Sequence, residues 1–237
     1  METDLNITQH ISQRFNEELE EVRSLVMNMG GMVEQQVNDG VQALLKADAQ
    51  LGEKVASSDY VVNAMEVDID EQCTLILARR QPAASDLRLV VSIIKTITDL
   101  ERIGDEAEQL GIAAIKLADQ NTKPSRYVEL RHLGDHVRGM LHDALDAFAR
   151  MDVNAALETI RAATVLNDEC DAISRQLILQ MMEDPRQIKN ALQVQWCARS
   201  LERIGDHAEN ICEYVVYLVK GRDVRHISLD EIKSHVE

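Results

Sequence analysis

Glu101, Asp105 and Glu108 are spaced so that a helix turning about 100° per residue holds the carboxylates of Asp105 and Glu108 within about 40° of that of Glu101. Val90, Ile94, Ile97 and Ile112 fall in the same sector, so these acids continue an apolar stripe, while Arg88, Lys95, Arg102 and Glu106 mark a separate, solvated face. An acid in line with core residues is costly unless something compensates its charge. Glu66 and Asp70 repeat the trait at i and i+4, interrupting a row formed by Val55, Val62, Cys73 and Leu77. Two such helices side by side gather four carboxylates. A hard, oxygen-only set of that kind suits Mg²⁺, Ca²⁺ or Mn²⁺ and also takes iron. Without a cation, like charges this close raise one another's pKa or push the helices apart.

These acids belong to a phrase that the chain contains twice. Leu100-Glu101-Arg102-Ile103-Gly104-Asp105-Glu106-Ala107-Glu108 returns from Leu201 to Glu209 with one change, His207 in place of Glu106. Packing alone does not require identity at charged and glycine positions, so the duplication points to a paired chemical site. Gly104, beside the acid row, leaves room for a close helix neighbour or a bound group. The second copy supplies Glu202, Asp206 and Glu209, with Arg199 about a turn earlier, but the facing segment offers Asn167 and Asp171 in place of Glu66 and Asp70. One charged ligand becomes an amide, and weaker cation binding is expected there. A structural alternative for the same residues is a salt-bridge net, with Arg102 and Arg203 pairing to the acids inside their own helices.

Other constellations carry less. His132 and His136 stand at i and i+4 with Asp135 between them, a zinc-like spacing that reads more simply as a solvated face. Glu129-Leu130-Arg131-His132 is the only E-x-x-H, whereas a ferritin-like di-iron site needs two. Trp196, Tyr214 and Tyr217 read as packing or interface residues. No phosphate-binding glycine loop, dinucleotide fingerprint or nucleophile and base pair is present in the sequence, which argues against a kinase, ATPase or hydrolase.

The elements that must position the acids are helices. Only three prolines and 3% aromatics, with abundant Ala, Leu, Val, Glu and Arg, predict an all-α fold. Six segments are expected, roughly 5–46, 51–80, 86–118, 125–150, 154–182 and 187–220, with Gly30-Gly31 as a bend in the first. Asp39, Ala43 and Asp48 match Asp143, Ala147 and Asp152 at an offset of 104, whereas the signature phrases lie 101 apart, so a three-residue gap separates the two alignments. Two pseudo-symmetric three-helix bundles follow, 1–120 and 121–222, then a polar tail at 223–237. The formal charge of −16 makes nucleic acid and anionic lipid poor partners. Scattered Cys73, Cys170, Cys197 and Cys212, an acidic start (Glu2, Asp4) and no apolar stretch approaching ~20 residues suggest a reduced, cytoplasmic protein that meets membranes only through partners.

The two LERIGD phrases, the Met29-Gly30-Gly31-Met32-Val33-Glu34-Gln35-Gln36 run, Gln81-Pro82-Ala83-Ala84-Ser85-Asp86-Leu87-Arg88 and the Lys220-Gly221-Arg222-Asp223 end together resemble the PhoU family of bacterial phosphate-signalling regulators. The resemblance covers nearly the whole chain. It implies a pair of three-helix bundles, often dimeric, whose E(D)-x-x-x-D motifs bind metal clusters at the surface. Those motifs match here at Glu66 to Asp70, Glu101 to Asp105 and Glu202 to Asp206, with Asp171 alone on the fifth segment. The expected ligand set is therefore Glu66, Asp70, Glu101, Asp105, Glu108, Asp171, Glu202, Asp206 and Glu209, holding Mg, Mn, Fe, Zn or Ca. The resemblance further implies a non-enzymatic adaptor between a high-affinity phosphate ABC transporter, through its ATPase, and a membrane sensor histidine kinase. It restrains the phosphate-starvation response. The competing class is a metal-dependent enzyme or metal-storage bundle.

Overall fold

The computed structural model describes residues 2–119, 128–225, 227 and 231, with side chains from 13 to 119 and from 130 onward in that set. The 121–124 linker and most of the tail expected from sequence lie outside the described residues. Regular structure among the described residues is helical throughout. In chain order it comprises α1 (Glu2–Lys46), α2 (Ala49–Ala56), α3 (Asp59–Arg80), α4 (Ala84–Asp119), α5 (Val128–Arg150), α6 (Val153–Glu183) and α7 (Ile188–Lys220), with a 3-10 turn at Pro185–Gln187.

The repeat is visible in the corners. Ala47 and Met151 both turn left-handed (φ 51° and 54°), and the following Asp48 and Asp152 cap the next helix. Asp48 Oδ1 accepts from Leu51 N at 3.0 Å, and Asp152 Oδ1 accepts from Asn154 N and Ala155 N at 3.0 and 3.1 Å. Each cap satisfies donors that a helix start leaves open, which explains why these aspartates recur at the same offset.

One expected helix is two. The segment predicted to run unbroken from 51 to 80 stops at Ser57-Ser58 and restarts as α3, whereas its counterpart α6 is continuous. The three-residue gap between the two alignments lies between Asp48 and Glu66, the stretch that contains this break. In contrast, α1 runs unbroken through Gly30-Gly31. Gly30 is a seat for a neighbour: a Cβ there would meet Leu145 Cδ2 at 2.6 Å, so the absence of a side chain admits α5. The equivalent glycine of the second half, Gly134, receives Val41 of α1 in the same way, a Cβ there lying 2.7 Å from Val41 Cγ1. These reciprocal contacts are those of a pseudo-twofold pair.

The core runs through both halves without interruption, from Val26, Val33, Leu100 and Ile103 to Leu133, Leu141, Leu201 and Ile211, all within 1% exposure. Burying each such side chain contributes on the order of 2 kcal/mol. The signature helices α4 and α7 pack on one another, so the two phrases face the junction between halves. This overturns the expected solvated face at three of its four residues, while Arg102 stays exposed: Glu106 is 5% exposed, Arg88 Nε donates to Leu218 O at 3.1 Å, and Lys95 lies over the Tyr214 and Tyr217 rings. A stripe that looks solvated for one helix becomes an interface when a second bundle docks on it.

Candidate metal centre

The break between α2 and α3 builds the site. Ser58 Oγ donates to Val55 O at 2.9 Å, closing the turn, and accepts from Gln36 Nε2 of α1 at 3.1 Å. Asp59, in the first turn of α3, is thereby brought over Gly104 of α4. Its Oδ2 accepts from Asn63 Nδ2 at 2.6 Å, one turn on. Carboxylate oxygens of Asp59, Asp105 and Glu108 can all lie within 4.8 Å of one another, the one such group among the described residues.

Three acceptors at this place have no donor. Gln36 Oε1, Asp59 Oδ1 and Asn63 Oδ1 are buried without a hydrogen-bond partner. Leaving a buried acceptor unpaired costs about 1–3 kcal/mol, so three in one spot call for a cation or a donor. Gly104 forms the floor: a Cβ there would lie 3.3 Å from Asp59 Oδ1 and 3.4 Å from Gln36 Oε1. Among these oxygens a side chain would occupy the space that a ligand needs. The donor set is all oxygen, mixing carboxylates and amide carbonyls, and it fits a hard cation.

The electrostatics agree. Glu101 and Glu108 are both held above the ordinary carboxylate range, first by burial, then by neighbouring charge: Asp105 in the case of Glu101, Asp59 and Asp105 in the case of Glu108. Arg102 compensates only at the rim, reaching Glu101 Oε2 at 3.3 Å and Asp105 Oδ2 at 3.2 Å. Thr98 Oγ1 donates to Glu66 Oε1 at 3.2 Å, tying α3 to α4 beside the cluster. The cradle thus uses Asp105 and Glu108 of the expected set. Glu101 and Glu66 flank it. Asp70 is exposed on α3, next to Cys73, and is not one of the converging carboxylates.

Asp59, Gln36 and Asn63 escaped the sequence reading. On an unbroken second helix Asp59 would already share the sector of Glu66, seven residues on, but its meeting with Gln36 of α1 and Gly104 of α4 is a contact between helices that spacing along one helix does not show. The signal was the three-residue gap itself, falling on Ser57-Ser58-Asp59, a sequence suited to a helix restart.

The second half lacks the cradle. Gly205 corresponds to Gly104, but a Cβ there would strike Leu166 Cδ2 at 2.1 Å, with Met140 Cε at 3.8 Å. Met140 stands where the first half has Gln36, so apolar side chains occupy the space that polar ones line in the first. Asn167 and Asp171 are both exposed on α6. Glu202 pairs with Arg199 at 2.7 Å, while Asp206 and Glu209 sit further along α7. Burial lifts Glu209 to about 7, helped by Glu213 and Asp206, and raises Asp206 as well, with Glu202 next in effect. Arg203 does not pair within its own helix. It crosses to Glu106 Oε1 of α4 at 2.5 Å, so the salt-bridge net holds at Arg102 and fails at Arg203.

Elsewhere His136 Nδ1 lies 3.2 Å from Glu169 Oε2 and His132 is exposed. All four cysteines are free and buried, and burial pushes each thiol up to about 12, which leaves them unreactive as thiolates.

An internally duplicated, all-helical bundle with one polar cradle between α1, α3 and α4 defines the class. The chain belongs to the PhoU domain family, matching it over residues 26–113 and 130–215. A curated relative from Pseudomonas putida, named phosphate-specific transport system accessory protein PhoU homolog, is 54% identical, covering 98% of this chain and 91% of its own. The Escherichia coli K12 protein, named phosphate-specific transport system accessory protein PhoU, is 50% identical over 96% of this chain and 94% of its own. Among solved structures, PhoU from Pseudomonas aeruginosa superposes with a TM-score of 0.85 at 53% identity, covering 88% of this chain and all of that one. The phosphate transport system regulatory protein PhoU from Streptococcus pneumoniae gives 0.81 at 30% identity, over 89% and 99%.

Proposed function

We propose that this chain is a regulatory accessory protein of phosphate transport that works by binding rather than by turnover. It acts as an adaptor between a high-affinity phosphate ABC transporter, at its ATPase, and a membrane sensor histidine kinase, and it holds the phosphate-starvation response off while phosphate is plentiful. The observation that carries this reading is identity of 50–54% along nearly the whole chain to proteins named as accessory to phosphate transport. Physical features agree with it. No helix among the described residues is long and apolar enough to cross a membrane, and a charge of −16 favours basic protein surfaces over anionic lipid. A homodimer is part of the same reading.

In this reading Asp59, Asp105 and Glu108 hold a hard divalent or trivalent cation, with Gln36 Oε1 available as a neutral donor and Glu101 and Glu66 at the edge. The cation supplies charge compensation. Its consequence is mechanical: α3 and α4, which the clustered acids push apart, are clamped together, and α1 is held against them through Gln36 and Ser58.

The test is genetic and biochemical together. Deleting the gene should switch on starvation genes in phosphate-rich medium, and the purified protein should retain the detergent-solubilised kinase and the transporter at low salt, less so at high salt. Failure to retain either partner, with repression intact in the deletion strain, rejects the adaptor.

A further inference from the structure

A second site lies at the junction between halves, where α4 meets α7. A cleft of about 410 Å³ opens between α4 and α7, floored by Ile112, Ala113 and Cys197 and walled by Lys116, Arg199 and Arg203. Three features set it apart from an ordinary helix groove. Trp196 stands at its edge with 65% of its surface exposed, an unusual state for the largest apolar side chain in the chain. Gln193, one turn before Trp196, lines the cleft and its Oε1 is buried without a partner. The lining carries three cations against one anion, Glu106, on a chain whose formal charge is −16.

The chemistry that answers all three is a flat aromatic group bearing a hydrogen-bond donor and a negative charge. An indole face offers stacking, and base stacking on an aromatic side chain is worth about 1–3 kcal/mol. An exocyclic amine on that ring supplies the donor that Gln193 Oε1 lacks. Arg199 Nη1 and Arg203 Nη1 are engaged by Glu202 and Glu106, but a guanidinium carries further N–H donors suited to phosphate oxygens. Lys116 adds an exposed ammonium with no ion-pair partner among the described residues. The volume falls within the range that small-molecule sites occupy.

We propose that the α4–α7 cleft binds a mononucleotide whose base carries an exocyclic amine, the base stacked on Trp196 and bonded to Gln193 Oε1, the phosphate held by Lys116, Arg199 and Arg203. The cleft spans the two halves, so a ligand there touches the signature helix of each. This site is independent of the adaptor reading and of any cation in the acidic cradle.

Trp196 is the sole tryptophan among four tyrosines, so fluorescence excited at the red edge of the indole band, where tyrosine does not absorb, reports on this place alone. The full chain is titrated with AMP, adenosine and inorganic phosphate, each corrected against free N-acetyltryptophanamide. AMP should quench saturably with a midpoint below about 1 mM, and adenosine and phosphate should each bind at least about tenfold more weakly. Gln193→Leu and the exposed Lys116→Gln should both weaken AMP several-fold while circular dichroism and melting stay as in the parent. An absence of saturable quenching by AMP overturns the proposal. Phosphate binding as tightly as AMP, or AMP binding unchanged in both variants, overturns it equally, since the first outcome removes the base from the site and the second removes both the base contact at Gln193 and the phosphate contact at Lys116.

Discussion

A methyl group at Gly104 would sit 3.3 Å from Asp59 Oδ1, tight enough that the carboxylate must give by a few tenths of an ångström. Gly104→Ala should therefore keep the helix, whose propensity it improves, yet reduce bound metal, as should Asp59→Asn by removing the one acid that α3 contributes. Both are read by elemental content after purification and by the melting temperature with and without added cation, since metal stabilises the folded state by mass action. Unchanged metal content in Asp59→Asn excludes the cradle. On the other half, Glu209 lends itself to a pH test. Its carboxyl is raised from 4.5 to about 7 in the folded chain, so its favourable contribution is fully present below about 4.5 and is lost as pH rises through about 7. Asp206 and Glu213 are shifted in the same direction and steepen the loss. Metal-free protein should thus melt at lower temperature at pH 8 than at pH 5.5. Glu209→Gln should flatten that fall and be the more stable form above pH 7.

At the scale of elements, α2 touches α4 backbone to backbone. A Cβ on Gly111 would lie 2.7 Å from the Gly52 carbonyl oxygen, and one on Gly52 would lie 2.6 Å from that of Gly111. Neither atom can rotate away, so Gly111→Ala should cost about 1–3 kcal/mol despite the better propensity of alanine, lowering the melting temperature by several degrees. Gly31 is the control. Nothing lies within 4 Å of a Cβ there, and Gly31→Ala should add about 0.5–1 kcal/mol. If both changes shift stability alike, the close α2–α4 approach is not what fixes Gly111. The same approach holds the α2–α3 corner against α4, and with it Asp59.

For the whole molecule, the junction between halves uses the one position at which the duplicated phrases differ. Glu106 on α4 reaches Arg203, and its counterpart His207 on α7 places Nδ1 2.7 Å from Asp99 Oδ1, which also accepts from Asn210 Nδ2 at 3.0 Å. Identical residues at that position would have given a junction of like partners. The difference lets each helix meet a complementary group on the other. Arg203→Met should strand the buried Glu106 carboxylate and destabilise the chain by roughly 1–2 kcal/mol, less than a fully buried pair because Arg203 is half exposed. Arg203→Met with Glu106→Met should recover most of that, measured by urea unfolding. A double variant no better than the single one removes this pair from the junction.

Periodicity, composition and the repeated phrase by themselves determined an all-helical chain in two related halves, and they singled out Asp105 and Glu108 as acids in the wrong sector. Those are properties of single helices, and spacing along one helix fixes which side chains share a face. Tertiary structure decided the rest. Whether the 51–80 segment broke, and so whether Asp59 faced Gly104, depended on Gly52 meeting Gly111 and on Ser58 holding Gln36. Whether Glu106 was solvated depended on α7 covering it. That the second cradle filled with Leu166 and Met140 rather than with oxygens came from residues on three different helices meeting around Gly205. Each outcome turns on contacts between elements distant in sequence, whose closeness no local pattern encodes.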